Sequence, residues 1–177
     1  MFIFNIEKIY REKISNEEFQ QIVKIEKSNG EDAYSEDVLK EIFIDDIKDD
    51  NFVCRYNNQI VGYISYNPLS KRRNGSVYII NLVVDPQFRR QGIAQKLIYE
   101  TAMYYLNKGE PKIMSLQVDK NNYPAINLYR KMGFEIVDPI CKLDEDDEQY
   151  IMEIEVAKLS KNNSIEEANT KSNVNIK

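Results

Sequence analysis

Histidine is absent from this 177-residue chain. That removes every mechanism built on imidazole: serine–histidine–aspartate hydrolysis, cysteine–histidine proteolysis and histidine-ligated metals. Proton transfer is left to Tyr, Glu, Asp, Lys, Cys or water. Cysteine is scarce as well. Cys54 and Cys141 stand far apart with no CxxC spacing, which argues against zinc or a disulfide framework and points to a reducing, cytoplasmic compartment. No metal is expected. No stretch approaches ~18 consecutive apolar residues, so no membrane span is expected. The start, "MFIFNIEKIYREK", carries an apolar patch too short for a secretory signal, and charge comes directly after it. Positive charge is not in excess either. The net charge of −5 makes a nucleic-acid partner unexpected and tilts the chain toward cationic substrates or partners.

What is present suits one soluble globular domain with a real core: hydrophobic content is 42 % and charged content 30 %. "FIFNIEKIY" reads as a strand. "SNEEFQQIVKIEKSNG" opens on Ser15 with Glu18 three residues later, a capping box, and its apolar positions Phe19, Ile22, Val23 and Ile25 share a face. "SEDVLKEIFIDDI" predicts a second helix capped by Ser35, with Val38, Leu39, Ile42 and Phe43 inward. The period then changes. "NFVCRYNNQIVGYISYNP" predicts two strands joined at Asn57-Asn58, and "SVYIINLVVDP" a central strand stopped by Pro86. "QGIAQKLIYETAMYYLNKG" predicts a helix with Ile93, Leu97, Ile98, Ala102 and Leu106 on one face. "KIMSLQV" reads as a strand. "YPAINLYRKMG" reads as a short helix with Pro124 in its first turn and Gly133 at its end. "FEIVDPICKL" and "QYIMEIEVAKL" form a last pair around the acidic turn "DEDDE". The order predicts one α+β domain over residues 1–158, with a mixed, mostly antiparallel sheet of about seven strands and about four helices. Residues 159–177, rich in Asn, Lys and Ser, are expected to be a disordered polar tail.

The stretch that carries chemistry is "DPQFRRQGIAQKL". It sets fixed positive charge and a glycine between an apolar strand and a helix start. Free N–H groups there, helped by the helix dipole, make an anion site. Gly92 lets a ligand approach the backbone, Ala94 keeps the wall small, and Arg89 and Arg90 add charge and donors. The lysine and Ser/Thr of a phosphate-binding GxxxxGK loop are missing, which disfavours nucleotide hydrolysis.

These residues carry a resemblance. The chain resembles the Gcn5-related N-acetyltransferases, whose pyrophosphate loop reads Q/R-x-x-G-x-G/A. Here it is Arg89, Arg90, Gln91, Gly92, Ile93, Ala94. A second family segment, N-x-x-A-x-x-L-Y-x-x-x-G-F, is present as "NYPAINLYRKMGF", Asn122 to Phe134. The likeness covers roughly residues 2 to 156 and is greatest to the N-alpha-acetyltransferases and the bacterial ribosomal-protein alanine acetyltransferases, through "EDAYSEDVLKEIF" as well.

The resemblance implies the family's fold, acetyl-CoA as cosubstrate and acetylation of a primary amine, foremost a protein N-terminus. It also implies roles. Residues Arg89 to Gln95 hold the pyrophosphate, and Asn122 and Ala125 contact CoA. The backbone at Leu82, Val83 and Val84 bonds the pantetheine arm and polarises the thioester. Tyr129 stands at the general-acid tyrosine, and Tyr34 and Gln117 are substrate-side. Where one subfamily has Glu and another His, this chain has Gln117, which cannot titrate. Tyr78, acting through water, becomes the expected base, with Asp119 and Glu26 as alternatives. The α-amino pKa of ~7.7–8.0, against ~10.4 for lysine, suits a site with so little basic help. A small-amine acceptor such as a polyamine or aminoglycoside, favoured by the acidic turn, and a non-catalytic CoA-binding module are the competing readings. Partners under this resemblance are the amine substrate and an auxiliary subunit or second copy of the chain.

Overall fold

A computed structural model describes residues 3–10, 13–45, 50–70, 76–109, 112–142 and 148–159. Residues 143–147 and 160–177 lie outside these, and with them most of the expected acidic turn and tail. Seven strands occur: β1 (Asn5–Ile9), β2 (Asp50–Tyr56), β3 (Gln59–Ser70), β4 (Ser76–Val84), β5 (Ile113–Asp119), β6 (Glu135–Lys142) and β7 (Glu148–Glu155). Among the described residues α1 (Asn16–Glu26), α2 (Glu36–Lys40), α3 (Ile93–Leu106) and α4 (Tyr123–Met132) join them, and residues 156–159 add a further helical turn. The sheet order is β1-β2-β3-β4-β5-β7-β6. The class is α+β, as the pattern predicts. Contacts group the chain into two compact units, Met1–Thr101 and Ala102–Lys177.

In the first unit the capping box forms as written in the sequence. The Glu18 N–H donates to Ser15 Oγ at 3.2 Å, and the Ser15 N–H donates to the Glu18 carboxylate at 2.8 Å. Phe19, Ile22, Val23 and Ile25 are buried as their spacing requires. Ser35 caps α2. Here one expectation fails, since Val38 is 37 % exposed. The α-helix stops at Lys40 and continues as a wider π-turn over Glu41–Asp45. That turn carries burial onto Leu39, Ile42 and Phe43 and leaves Val38 aside. The β2–β3 turn has Asn57 at φ 49° and Asn58 at φ 65°, the left-handed pair a two-residue hairpin needs.

A bulge in β4 determines which of its side chains share a face. Ser65 pairs with Asn81 and Tyr66 with Ile79, so Ile80 is one residue more on β4 than β3 matches. Ile80 packs against the core of α1, α2 and β2–β4, to which Tyr63 and Val83 belong. The extra residue shifts the side-chain alternation by one. Tyr78 and Ile80 before the bulge therefore share the α1–α2 face with Asn81 and Val83 after it.

The opposite face is set by Gly62. A Cβ there would lie 3.0 Å from the Val83 carbonyl oxygen and 3.3 Å from the side chains of Ile93 and Val84. Glycine lets β3, β4 and the first turn of α3 close on one another. Gly62→Ala is expected to destabilise the protein by about 1–3 kcal/mol through overpacking, read as a lowered Tm. An unchanged Tm would show that Ile93 and Val84 yield without cost.

In the second unit β5 and β6 pair with β7 in antiparallel register, Gln117 opposite Ile151. Asn122 caps α4, and Gly133 ends it at φ 97°. The Phe134 N–H there donates to the Tyr129 carbonyl at 3.0 Å. Along α3 the predicted face holds at Ile93, Leu97, Ile98 and Ala102, but Leu106 is 40 % exposed. Tyr105 takes the buried position in the last turn.

Candidate active site

The loop before α3 turns sharply and leaves main-chain amides at the helix start. The Asp85 side chain accepts from the Gln87 N–H at 2.9 Å and starts a short 3₁₀ turn at Pro86. Arg89 is extended and its Nε donates to the Val84 carbonyl at 3.0 Å, anchoring the guanidinium at the end of β4. Arg90 then sits at φ 60° and Gly92 at φ 79°. A left-handed non-glycine residue costs about 1–2 kcal/mol, and such strain collects at ligand-binding loops. The Lys96 N–H donates to the Gly92 carbonyl at 3.0 Å. The N–H groups of Ile93, Ala94 and Gln95 precede that first helical bond. α1, α2 and α4 have side-chain caps in Ser15, Ser35 and Asn122. α3 starts after a glycine, which has no side chain to accept from those amides. They have no intrahelical acceptor. Ile93 itself is buried against the core, so its N–H and not its side chain is what it offers a ligand.

On β4, the Leu82 N–H donates to Asn81 Oδ1 at 2.9 Å. Asn81 Nδ2 lies 2.8 Å from the Tyr63 hydroxyl and 3.1 Å from Glu26. Tyr63 donates its hydroxyl proton to the same Glu26 oxygen. The other Glu26 oxygen accepts from the Tyr34 N–H at 2.8 Å. Burial, with Glu26 beside it, drives the Tyr63 phenol far above its ordinary value, and the same two causes raise Tyr34. Sequence pattern points to Tyr34, Tyr78 and Glu26 here but passes over Tyr63 and Asn81. A signal exists for one of them: Asn81 is the amide inside the apolar run "VYIINLVV". Tyr78 is half-buried on β4. Cys54 is buried, and burial pushes its thiol up to about 11 despite nearby Lys96, so it is no nucleophile at neutral pH.

The second unit holds the other predicted residues. Tyr129 is 8 % exposed on α4, its ring 5.6 Å from that of Phe134. Burial pushes its phenol up to about 12. Asn122 Oδ1 accepts from the Ala125 N–H at 3.2 Å, so the predicted CoA contact is also the helix cap. Gln117 is half-buried on β5. Asp119 spends its carboxylate on the Asn121 N–H in the turn before α4, a structural duty for one alternative base. Among the described residues no helix is long and apolar enough to cross a membrane.

The sequence profile of the Acetyltransferase (GNAT) family matches residues 16–134 and so spans both units. The chain belongs to that family. It is 40 % identical over 67 residues to the chloroplastic GCN5-related N-acetyltransferase 4 of Arabidopsis thaliana, covering 38 % of this chain and 23 % of that protein. It is 37 % identical over 93 residues to the N-alpha-acetyltransferase daf-31 of Caenorhabditis elegans, covering 51 % of each. The chain thus spans between about a quarter and a half of the length of these relatives. The structure of Arabidopsis thaliana NAA60 in complex with acetyl-CoA superposes with a TM-score of 0.69 at 16 % identity, over 88 % of this chain and 99 % of that one. That likeness shows the fold.

Proposed function

We propose that this protein is an acetyl-CoA-dependent N-acetyltransferase whose acceptor is the α-amino group of a protein N-terminus. The observation that carries the reading is the uncapped start of α3, with Gly92 at φ 79° and three amides before the first helical bond. Such a cluster of amides suits the negative charge of a pyrophosphate. The amine nitrogen attacks the thioester carbon, the C–S bond breaks, and the acetyl group leaves on nitrogen. The Tyr129 phenol, protonated at neutral pH, gives its proton to the departing thiolate. Tyr78, on the acceptor-side face of β4, takes the amine proton through water while its own hydroxyl proton passes on to solvent, so the phenol stays neutral. The strand backbone of Leu82–Val84 runs along the thioester and stabilises the developing oxyanion beyond Leu82, whose own N–H is given to Asn81. Kinship with an N-alpha-acetyltransferase supports the acceptor class. The acidic stretch "DEDDE" keeps a polyamine as the second reading.

The test is thiol release from acetyl-CoA with three acceptors: peptides with free N-termini, the same peptides N-blocked with an internal lysine, and spermidine. Release only with free N-termini supports the proposal. Release only with spermidine moves the enzyme to small amines, and none with acetyl-CoA bound leaves a binding module. The pH profile adds an independent check. A phenol raised to about 12 keeps its acidic form throughout the neutral and alkaline range below that value. Tyr129 therefore imposes no falling limb up to pH ~10. With an α-amine acceptor, kcat/KM is expected to rise through pH ~7.7–8.0 and level off. A rise continuing to pH ~10.4 would identify a lysine-type amine.

A further inference from the structure

We propose that Glu26 is a positioning residue for the amine acceptor: its two carboxyl oxygens tie the main chain at Tyr34 to the side chain of Asn81, holding the acceptor-side segment and the bulged part of β4 as one piece.

Glu26 is the last residue of α1 and is 1 % exposed. Among the described residues it has no ion-pair partner. A buried carboxyl group is costly unless its bonds are filled and put to use, and α1 already has its cap and its four buried apolar residues without it. The three donors around Glu26 come from three places: the segment before α2 through the Tyr34 N–H, β3 through the Tyr63 hydroxyl, and β4 through Asn81 Nδ2. These are long-range ties, eight, 37 and 55 residues apart in sequence.

The tie also dictates which way the Asn81 amide points. Its nitrogen faces Glu26 and Tyr63, and its oxygen faces the Leu82 N–H. Turned over, it would set a donor against the Leu82 N–H and an acceptor against Glu26. Glu26 thereby orients a polar side chain lying next to the residue whose backbone meets the thioester in the proposed reaction. Tyr34, exposed at the other end of the tie, is the residue that the family resemblance sets on the substrate side. Glu26→Gln keeps the size but places an NH₂ group where only donors converge, so at least one of the bonds must break.

The inference rests on the proposed function and on the substrate-side role that the family resemblance implies for Tyr34. The test measures acceptor KM, kcat and acetyl-CoA Kd for Tyr34→Ala, Glu26→Gln, Asn81→Ala and the Glu26→Gln/Asn81→Ala double variant, with whichever amine the wild type acetylates. Glu26→Gln and Asn81→Ala are each expected to lower acceptor kcat/KM roughly 10-fold or more through misplacement, mainly in KM, with acetyl-CoA Kd unchanged. The double variant should be no worse than the worse single one, because both cut one link. Multiplied effects, an unchanged KM in Glu26→Gln, or acetyl-CoA Kd rising in step with KM would overturn the proposal. An unchanged KM in Tyr34→Ala would remove the acceptor from this segment and overturn the placement together with the tie. A raised KM in Tyr34→Ala with none in Glu26→Gln would overturn the tie alone. If Glu26→Gln does not fold, Tyr63→Phe serves in its place: raised KM at constant Kd supports the tie, and unchanged KM overturns it.

Discussion

Tyr129→Phe is expected to lower turnover by roughly 10²-fold or more while acetyl-CoA still binds. The change deletes one hydroxyl and keeps the ring that packs on Phe134, so folding should survive. The size of the effect comes from the leaving group. Without a proton donor, the sulfur departs as a bare thiolate, the costlier leaving group beside a buried Tyr129 ring. The phenol suits the task because burial holds it up to about 12, which keeps the proton on oxygen until the thiolate appears. Steady-state turnover and acetyl-CoA affinity, measured side by side, separate this role from packing. A further arm sharpens the reading: thioesters of more acidic thiols should be less impaired, since their sulfur needs less help to leave. Near wild-type turnover would remove Tyr129 from the mechanism.

Gly92→Glu should abolish acetyl-CoA binding. The position has room, with a Cβ only in ordinary contact at 3.7 Å from Gln95 Oε1. Steric damage to the fold is therefore small, and the strain of φ 79° in a residue with a side chain is about 1–2 kcal/mol. What the substitution adds is a carboxylate in front of the amides of Ile93, Ala94 and Gln95, where under the proposed function it takes the place of the pyrophosphate and repels it. Like charges brought together at a binding site cost several kcal/mol, a loss of at least roughly 10²-fold in affinity. Gly92→Ala isolates strain from charge and should bind better than Gly92→Glu. Calorimetric titration with CoA reads both. Unchanged affinity in Gly92→Glu would mean that the pyrophosphate lies elsewhere.

Most of the elements can be read along the chain because their signals are local. The Ser15–Glu18 box, the Asn57-Asn58 turn and the Asn122, Pro124 and Gly133 punctuation of α4 each act over a few residues, and each forms as written. The "RRQGIA" loop is legible for the same reason: a glycine before a helix that no side chain can cap is a property of adjacent positions. The misses are of another kind. Val38 and Leu106 match the 3.6-residue period, yet a π-turn displaces one and Tyr105 supplants the other.

The acceptor side shows the same division. Nothing in the spacing of Glu26, Tyr63 and Asn81 joins them, and no local rule places a one-residue bulge at Ile80. That bulge brings Asn81 onto the face of Glu26, beside Tyr78, because strand side chains alternate with period two and one extra residue reverses the phase. Local composition and capping chemistry were enough to define the class of fold, the uncapped start of α3 and the place of Tyr129 on α4. Which polar residues meet across α1, β3 and β4 was decided only by strand register and packing, since those contacts join residues far apart in sequence and depend on how every element between them is placed.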